Sequence, residues 1–164
     1  MNHVYFLARK REPGWDSHRC YDAVNLIGEG RISLGSRLRP LSMETKQIRM
    51  DCLLDPDKTI FPGAETIIYF SDGSEPARVI YLGDRRHRLV WGRVELEVRY
   101  QQLRWKFFLE GKHLASMIQS DSTEPVLALT ESRWVPRYTM MSCSALPEPL
   151  ALLMLHVPLL QIAP

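Results

Sequence analysis

The chain closes on a run that no surface helix could supply. From Leu150 to Ile162 every residue is apolar except His156 and Gln161. A helix on a protein surface carries one apolar stripe and one polar face, so a helix that is apolar all round must be enclosed by other elements or by lipid. Pro147-Glu148-Pro149 precedes the run. Proline is tolerated in a first helical turn because the amide hydrogens there lack intrahelical partners. Pro158 should kink or end the helix late. The run falls short of the roughly 20 residues that a membrane-spanning helix needs. No transmembrane span is therefore expected, with a terminal membrane anchor as the rival use of the same residues. The expectation is a buried helix over about 147–161.

The rest of the chain reads as short strands. Arg93 to Tyr100 alternates strictly, with Val94, Leu96, Val98 and Tyr100 on one face and Arg93, Glu95, Glu97 and Arg99 on the other. Leu103, Trp105, Phe107 and Leu109 likewise oppose Arg104 and Lys106, so the two segments form a hairpin about Gln101-Gln102 with one dry and one wet face. Further strands are expected at Val4–Ala8, Gln47–Leu54, Thr66–Phe70, Ala77–Leu82, His113–Ile118, Val126–Leu129 and Trp134–Met141. Pro136 places the last of these at an edge or bulge. Ser71-Asp-Gly-Ser74 carries the Asp-Gly signal of a hairpin turn. Trp15 to Asp22 has no assignable pattern, and residues 36 to 46 read as a polar connection. Gly28-Glu-Gly30 reads as a tight hairpin, because its glycine spacing and the missing helix pattern do not fit a dinucleotide fingerprint. Gly83 to Arg88 reads as an exposed basic loop. A β-rich chain with one helix apolar on every side predicts a mainly β fold: an antiparallel barrel, closed or nearly so, wrapped around its C-terminal helix. One domain is expected over residues 1–164.

Catalytic signatures are missing. Cys20, Cys52 and Cys143 are widely spaced and form no Cys-x-x-Cys pair, which argues against a disulfide framework or a structural zinc site. The five histidines show no metal-binding spacing, and no serine sits in a Gly-x-Ser-x-Gly elbow. No cofactor is expected. His156 reads as a neutral histidine hydrogen-bonded to a strand, since buried polar groups keep a partner. A secretory signal does not fit the N-terminus, where the charges follow the apolar run, and the expected location is cytoplasmic.

Charge is uneven. Between Asp84 and Lys106 lie Arg85, Arg86, Arg88, Arg93, Arg99, Arg104 and Lys106 against three acids, while the whole chain carries only +2. That total is too small to predict a nucleic-acid partner. If the arginines converge on the wet face of the hairpin, they form a basic patch for phosphate head groups or an acidic protein surface. The other reading is a solvated face on which Glu95 and Glu97 pair the arginines across strands.

From Gly92 onward the order of elements resembles the tubby C-terminal-like superfamily, which groups tubby proteins, plant LURP-one-related proteins and phospholipid scramblases. The resemblance rests on Gly92-Arg-Val-Glu-Leu-Glu-Val98, Trp105-Lys-Phe-Phe-Leu-Glu-Gly-Lys112, His113-Leu-Ala-Ser-Met-Ile118, Trp134-Val-Pro-Arg-Tyr-Thr-Met140 and the apolar terminal helix. It implies a hydrophobic helix threaded through a twelve-stranded barrel. Tubby proteins bind phosphoinositides, so it also favours the basic patch as a lipid or protein contact, including peripheral membrane contact. Pro136 and Pro158 depart from the family's regular elements, and no calcium segment of the scramblase kind is present, so scramblase activity does not follow. The resulting expectation is a non-enzymatic binding domain. Its rivals are a bacterial immunity or antitoxin-type protein that neutralises a cognate toxin, and a hydrolase or lipid-handling enzyme with a site at the barrel mouth.

Overall fold

A computed structural model of the chain describes residues 2–23, 25–57, 61–120 and 134–160. Strands β1 (His3–Glu12), β2 (Trp15–Asp22), β3 (Asn25–Ser33), β4 (Arg39–Glu44), β5 (Arg49–Leu54), β6 (Glu65–Phe70), β7 (Ala77–Gly83), β8 (Arg86–Trp91), β9 (Val94–Gln101), β10 (Arg104–Leu109), β11 (Lys112–Gln119) and β12 (Val135–Ser142) each pair antiparallel with their sequence neighbours. β1 also pairs with β12, which closes the barrel. Closure gives each of the described strands a partner on both sides, so none of them is an edge strand. Two helical pieces follow, α1 (Glu148–Leu155) and α2 (Val157–Leu160), broken at His156 just before Pro158. The barrel around a C-terminal helix is the architecture expected from the sequence. The expected strand at Val126–Leu129 lies outside the described residues.

The helix is the filling of the barrel. Leu150, Leu152, Leu153, Met154, Leu155, Val157 and Leu160 are all buried, among inward residues such as Leu7, Leu41, Met43, Met50, Ile68, Leu89, Leu96, Phe107, Met117 and Met140. Each large apolar side chain buried in this way contributes roughly 1.5–3 kcal/mol. Among the described residues, no helix is long and apolar enough to cross a membrane.

Gly28 and Gly30 set how closely the helix can approach the wall. They lie within β3, not in a hairpin turn, opposite Cys20 and His18 of β2. A Cβ on Gly28 would stand 2.6 Å from the Leu152 side chain and 2.6 Å from the Glu44 carbonyl oxygen. A Cβ on Gly30 would stand 2.6 Å from His156 Nε2. The tight spacing arises from the tertiary contact, which is why the glycines look like turn residues in the sequence. Other segments were also obscured by polar residues at inward positions. β2 turns Asp16 and His18 inward together with Cys20, and β8 turns His87 inward beside Leu89. β4 has only Leu41 and Met43 on its inner side. Residues 36 to 46 therefore contain a strand, and Gly83 to Arg88 is a two-residue turn running into β8. Pro136 adjoins a bulge: Leu7 pairs with Tyr138 but Ala8 with Pro136, leaving Arg137 extra.

His156 is fully buried and forms two contacts. Its Nδ1 lies 2.8 Å from the Leu152 carbonyl oxygen, which can only accept, so Nδ1 carries the proton. Its Nε2 then accepts from His18 Nδ1, 3.1 Å away on β2. Burial lowers the pKa of His18 to about 2, with the charges of His156 and Arg9 adding to the effect, and lowers those of His87 and His156 to about 4. All three are neutral at pH 7.

Two predictions follow from this packing. Gly28→Ala should destabilise the fold by about 1–3 kcal/mol through overpacking, whereas Gly35→Ala, with nothing within 4 Å, should leave it within about 0.5 kcal/mol; urea denaturation reads both. The depressed histidine pKa values mean that the unfolded chain takes up protons that the folded chain refuses. Stability is thus complete above pH 6.5 and falls as pH drops toward 4, by roughly 2 kcal/mol per histidine between pH 7 and pH 5. His156→Gln should remove about a third of that slope. A denaturation midpoint unchanged between pH 7 and pH 5 would contradict the neutral assignment.

Candidate functional site

The basic segment is built on three adjacent strands. The turns of this region fix its ends: Asp84-Arg85 joins β7 to β8, Gln102-Leu103 joins β9 to β10, and both lie at the same end of the barrel. Gly92-Arg93 joins β8 to β9 at the opposite end. Arg86 and Arg88 of β8, Arg99 of β9, and Arg104 and Lys106 of β10 occupy outward positions, opposite in parity to buried His87, Leu89, Leu96, Val98, Trp105 and Phe107. Arg85 sits in the adjoining turn, its carbonyl accepting the Tyr100 amide at 3.1 Å. Five of the seven expected residues thus share one face toward one end of the barrel, with Arg85 in the turn at that end. Arg93 does not: it is a turn residue some 20 Å of strand away from Arg99 at about 3.3 Å per residue, and it leaves the patch.

Register gives the patch its character. Arg86 lies directly across from Arg99, and Arg99 directly across from Lys106, so three cations form a row over three strands. Like charges directly opposite each other destabilise a sheet. Relief comes from one acid. Glu97 pairs with Arg99 along its own strand, at 2.8 and 3.2 Å, and the Arg99 guanidinium also covers Phe108, 4.6 Å from the ring centre. The Arg99 hydrogen bond holds the Glu97 carboxylate below its ordinary pKa, helped by the charges of Arg99, Arg86 and Arg88. Among the described residues, Arg86, Arg88, Arg104, Lys106 and Glu95 form no ion pair. Of the cross-strand neutralisation expected of an ordinary solvated face, Glu97 supplies a part, standing directly across from Arg88 without a close ion pair to it, while Glu95 stands across from Val90. The one close pair among the described residues of this face is Glu97–Arg99, on the same strand.

An apolar border adjoins this row. Leu103 belongs to the β9–β10 turn rather than to the inner face of β10, and is 78% exposed. Ile118 of β11 stands across from Arg104, and Met141 of β12 across from Ser116, which is itself across from Lys106; both are about half exposed. Gln102 and Leu103 have φ of 53° and 62°. For a leucine that left-handed conformation costs roughly 1–2 kcal/mol. Sequence alternation could not find Leu103, because its parity matches Trp105 and only the position of the turn removes it from the strand.

Other candidates resolve structurally. Trp105 is buried as expected, and Trp91 is half-buried against the core. Cys20 and Cys52 are buried, and burial pushes the Cys52 thiol up to about 12, far from a reactive thiolate; Cys143 is exposed. His156 bonds to its own helix as well as to a strand. Comparison with known proteins finds no matching family model, no matching curated protein and no matching solved structure.

The turn offers a direct check. Replacing Gln102 and Leu103 together (Gln102→Asn with Leu103→Gly) supplies the residues that a two-residue turn with both φ positive favours. The variant should gain about 1 kcal/mol of stability in urea denaturation. A loss of stability would contradict the strained turn.

Proposed function

We propose that this chain is a non-enzymatic binding module that receives an acidic surface on the outer face of β8–β10. The observation that carries the reading is the in-register row Arg86, Arg99 and Lys106, flanked by Arg88 and Arg104 and relieved by a single ion pair to Glu97. Unrelieved like charge weakens a sheet, and an acidic partner would convert that cost into binding energy. The barrel interior supports a site on the outside, since the helix from Leu150 to Val157 occupies it. The resemblance to tubby-like domains supports a binding role as well.

Curvature favours a protein over a lipid layer as the partner. From β8 to β12 is four of twelve steps, a third of the way round the barrel. A flat headgroup layer cannot meet the cations on β8 and Met141 on β12 together. A concave acidic protein surface can, with Leu103, Ile118 and Met141 as its apolar border. Interfaces of that kind are enriched in arginine and methionine.

The test is charge reversal at Arg99→Glu with Arg104→Glu. An acidic protein captured from the native cell by the unaltered chain should bind the variant more than tenfold more weakly, because several paired charges are lost. Its binding to the unaltered chain should also weaken with added salt. Phosphatidylcholine vesicles with and without phosphatidylserine form the second arm. Retention on phosphatidylserine alone, abolished in the variant, would make the occupant an anionic membrane. Undiminished capture by the variant would remove the basic face from the function.

A further inference from the structure

The outer face of β2–β5, away from the basic row, carries a cleft with a different chemistry. Two rows of outward side chains cross it in register. One runs Ser17, Arg31, Ser42, Asp51 and the other Arg19, Glu29, Glu44, Arg49. Two hollows lie over these rows, of about 500 and about 350 Å³. Both are lined by Arg31, Ser42 and Arg49, so these three residues form a saddle between them. The larger hollow has His18 and Gly30 among its lining residues and is also lined by Trp134; the smaller reaches Trp15.

Arg31 is the distinctive group. Its guanidinium stacks over Trp15, with Cζ 3.9 Å from the ring centre. Trp15 is itself fixed, because its indole N–H and the Ser17 hydroxyl both donate to the Glu12 carboxylate. Arg31 is flanked across the strands by two hydroxyls and forms no ion pair among the described residues. Its neighbours differ: Arg19 is 3.8 Å from Glu29 and Arg49 is 3.0 Å from Asp51. A stacked guanidinium with no hydrogen-bond partner among the described residues, a hydroxyl beside it and a second guanidinium two strands away, whose Nε is held by Asp51 and whose terminal nitrogens remain for a ligand, match the donor set that a phosphate takes. Arg31 and Arg49 are two strand steps and two residues of register apart, about 12 Å between backbones, a gap that two arginine side chains can close around one phosphate.

The second row adds selectivity. Glu29 and Glu44 lie directly opposite each other on adjacent strands. Two carboxylates beside an oxyanion site accept hydrogen bonds, and a ligand that presents hydroxyls satisfies them. The hollows are of small-molecule size.

We propose that this cleft binds a phosphate monoester of a polyhydroxy small molecule, with the phosphate at Arg31, Ser42 and Arg49 and the hydroxyls toward Glu29 and Glu44. The site is independent of the basic face on β8–β10. The test is titration of the whole chain by calorimetry with glucose 6-phosphate, phenyl phosphate, inorganic phosphate and glucose. Glucose 6-phosphate should bind at least tenfold more tightly than each of the other three. Arg31→Met should weaken it at least tenfold, and Glu29→Gln with Glu44→Gln should remove its advantage over phenyl phosphate. Charge reversal at Arg99 and Arg104 should leave it unchanged, so failure here and failure of the basic face are told apart. Because these residues are at the surface, folding of each variant is confirmed by its urea midpoint. Equal weak binding of all the phosphates, no binding of any, or binding unaffected by Arg31→Met would overturn the proposal.

Discussion

The structure depends on the fit between a barrel too wide to fill itself and a helix too apolar to stand anywhere else. About eight strands give an interior that side chains alone can fill. Twelve strands enclose more than that, and an α-helix with its side chains, about 10–12 Å across, supplies the missing volume. Neither part is stable alone in this account. Without the helix, the inward faces of twelve strands would line an apolar void. Without the barrel, Leu150 to Leu160 would expose apolar surface in every direction. Gly28 and Gly30 let the wall come close, and the His18–His156 hydrogen bond fixes the helix against β2 by a polar contact in a mainly apolar interior.

Side chains facing in are committed to packing, so the alternate, outward positions on the strands are the ones left for a partner, and the proposed binding is placed there. Two outward regions depart from an ordinary balanced surface. One is a row of like charges held in register on β8–β10, with a strained, exposed leucine at its end. The other is the stacked arginine between hydroxyls on β2–β5. The first carries a like-charge cost that packing does not offset, the second a guanidinium that is stacked and otherwise unpaired among the described residues, and different kinds of ligand are proposed for them.

What could be read from the sequence follows the same physics. The helix was legible because apolarity on every side is a one-dimensional signal. β9 and β10 were legible because their inner faces are wholly apolar and their outer faces are mainly charged. β2 and β8 were not, because His18 and His87 hold inward positions that alternation assigns to apolar residues. The partner of His18 lies far off in sequence, at His156. β3 was hidden by glycines whose smallness answers the helix rather than a turn. In the candidate site, the outward positions of Arg99, Arg104 and Lys106 followed from parity alone. The membership of Arg86 and Arg88, the exclusion of Arg93 and the exposure of Leu103 depended on where the turns fall. A shift of one residue in a turn reverses every side chain after it.

The central claim is that helix and barrel form one cooperative unit, and native-state hydrogen exchange tests it most directly. The amides of α1 from Ala151 to His156 should exchange only through global unfolding, with the same opening free energy and denaturant dependence as those of Leu96 and Val98 in β9. Faster exchange of α1 through a sub-global opening that leaves β9 protected would contradict the account, because the barrel would then persist without its filling.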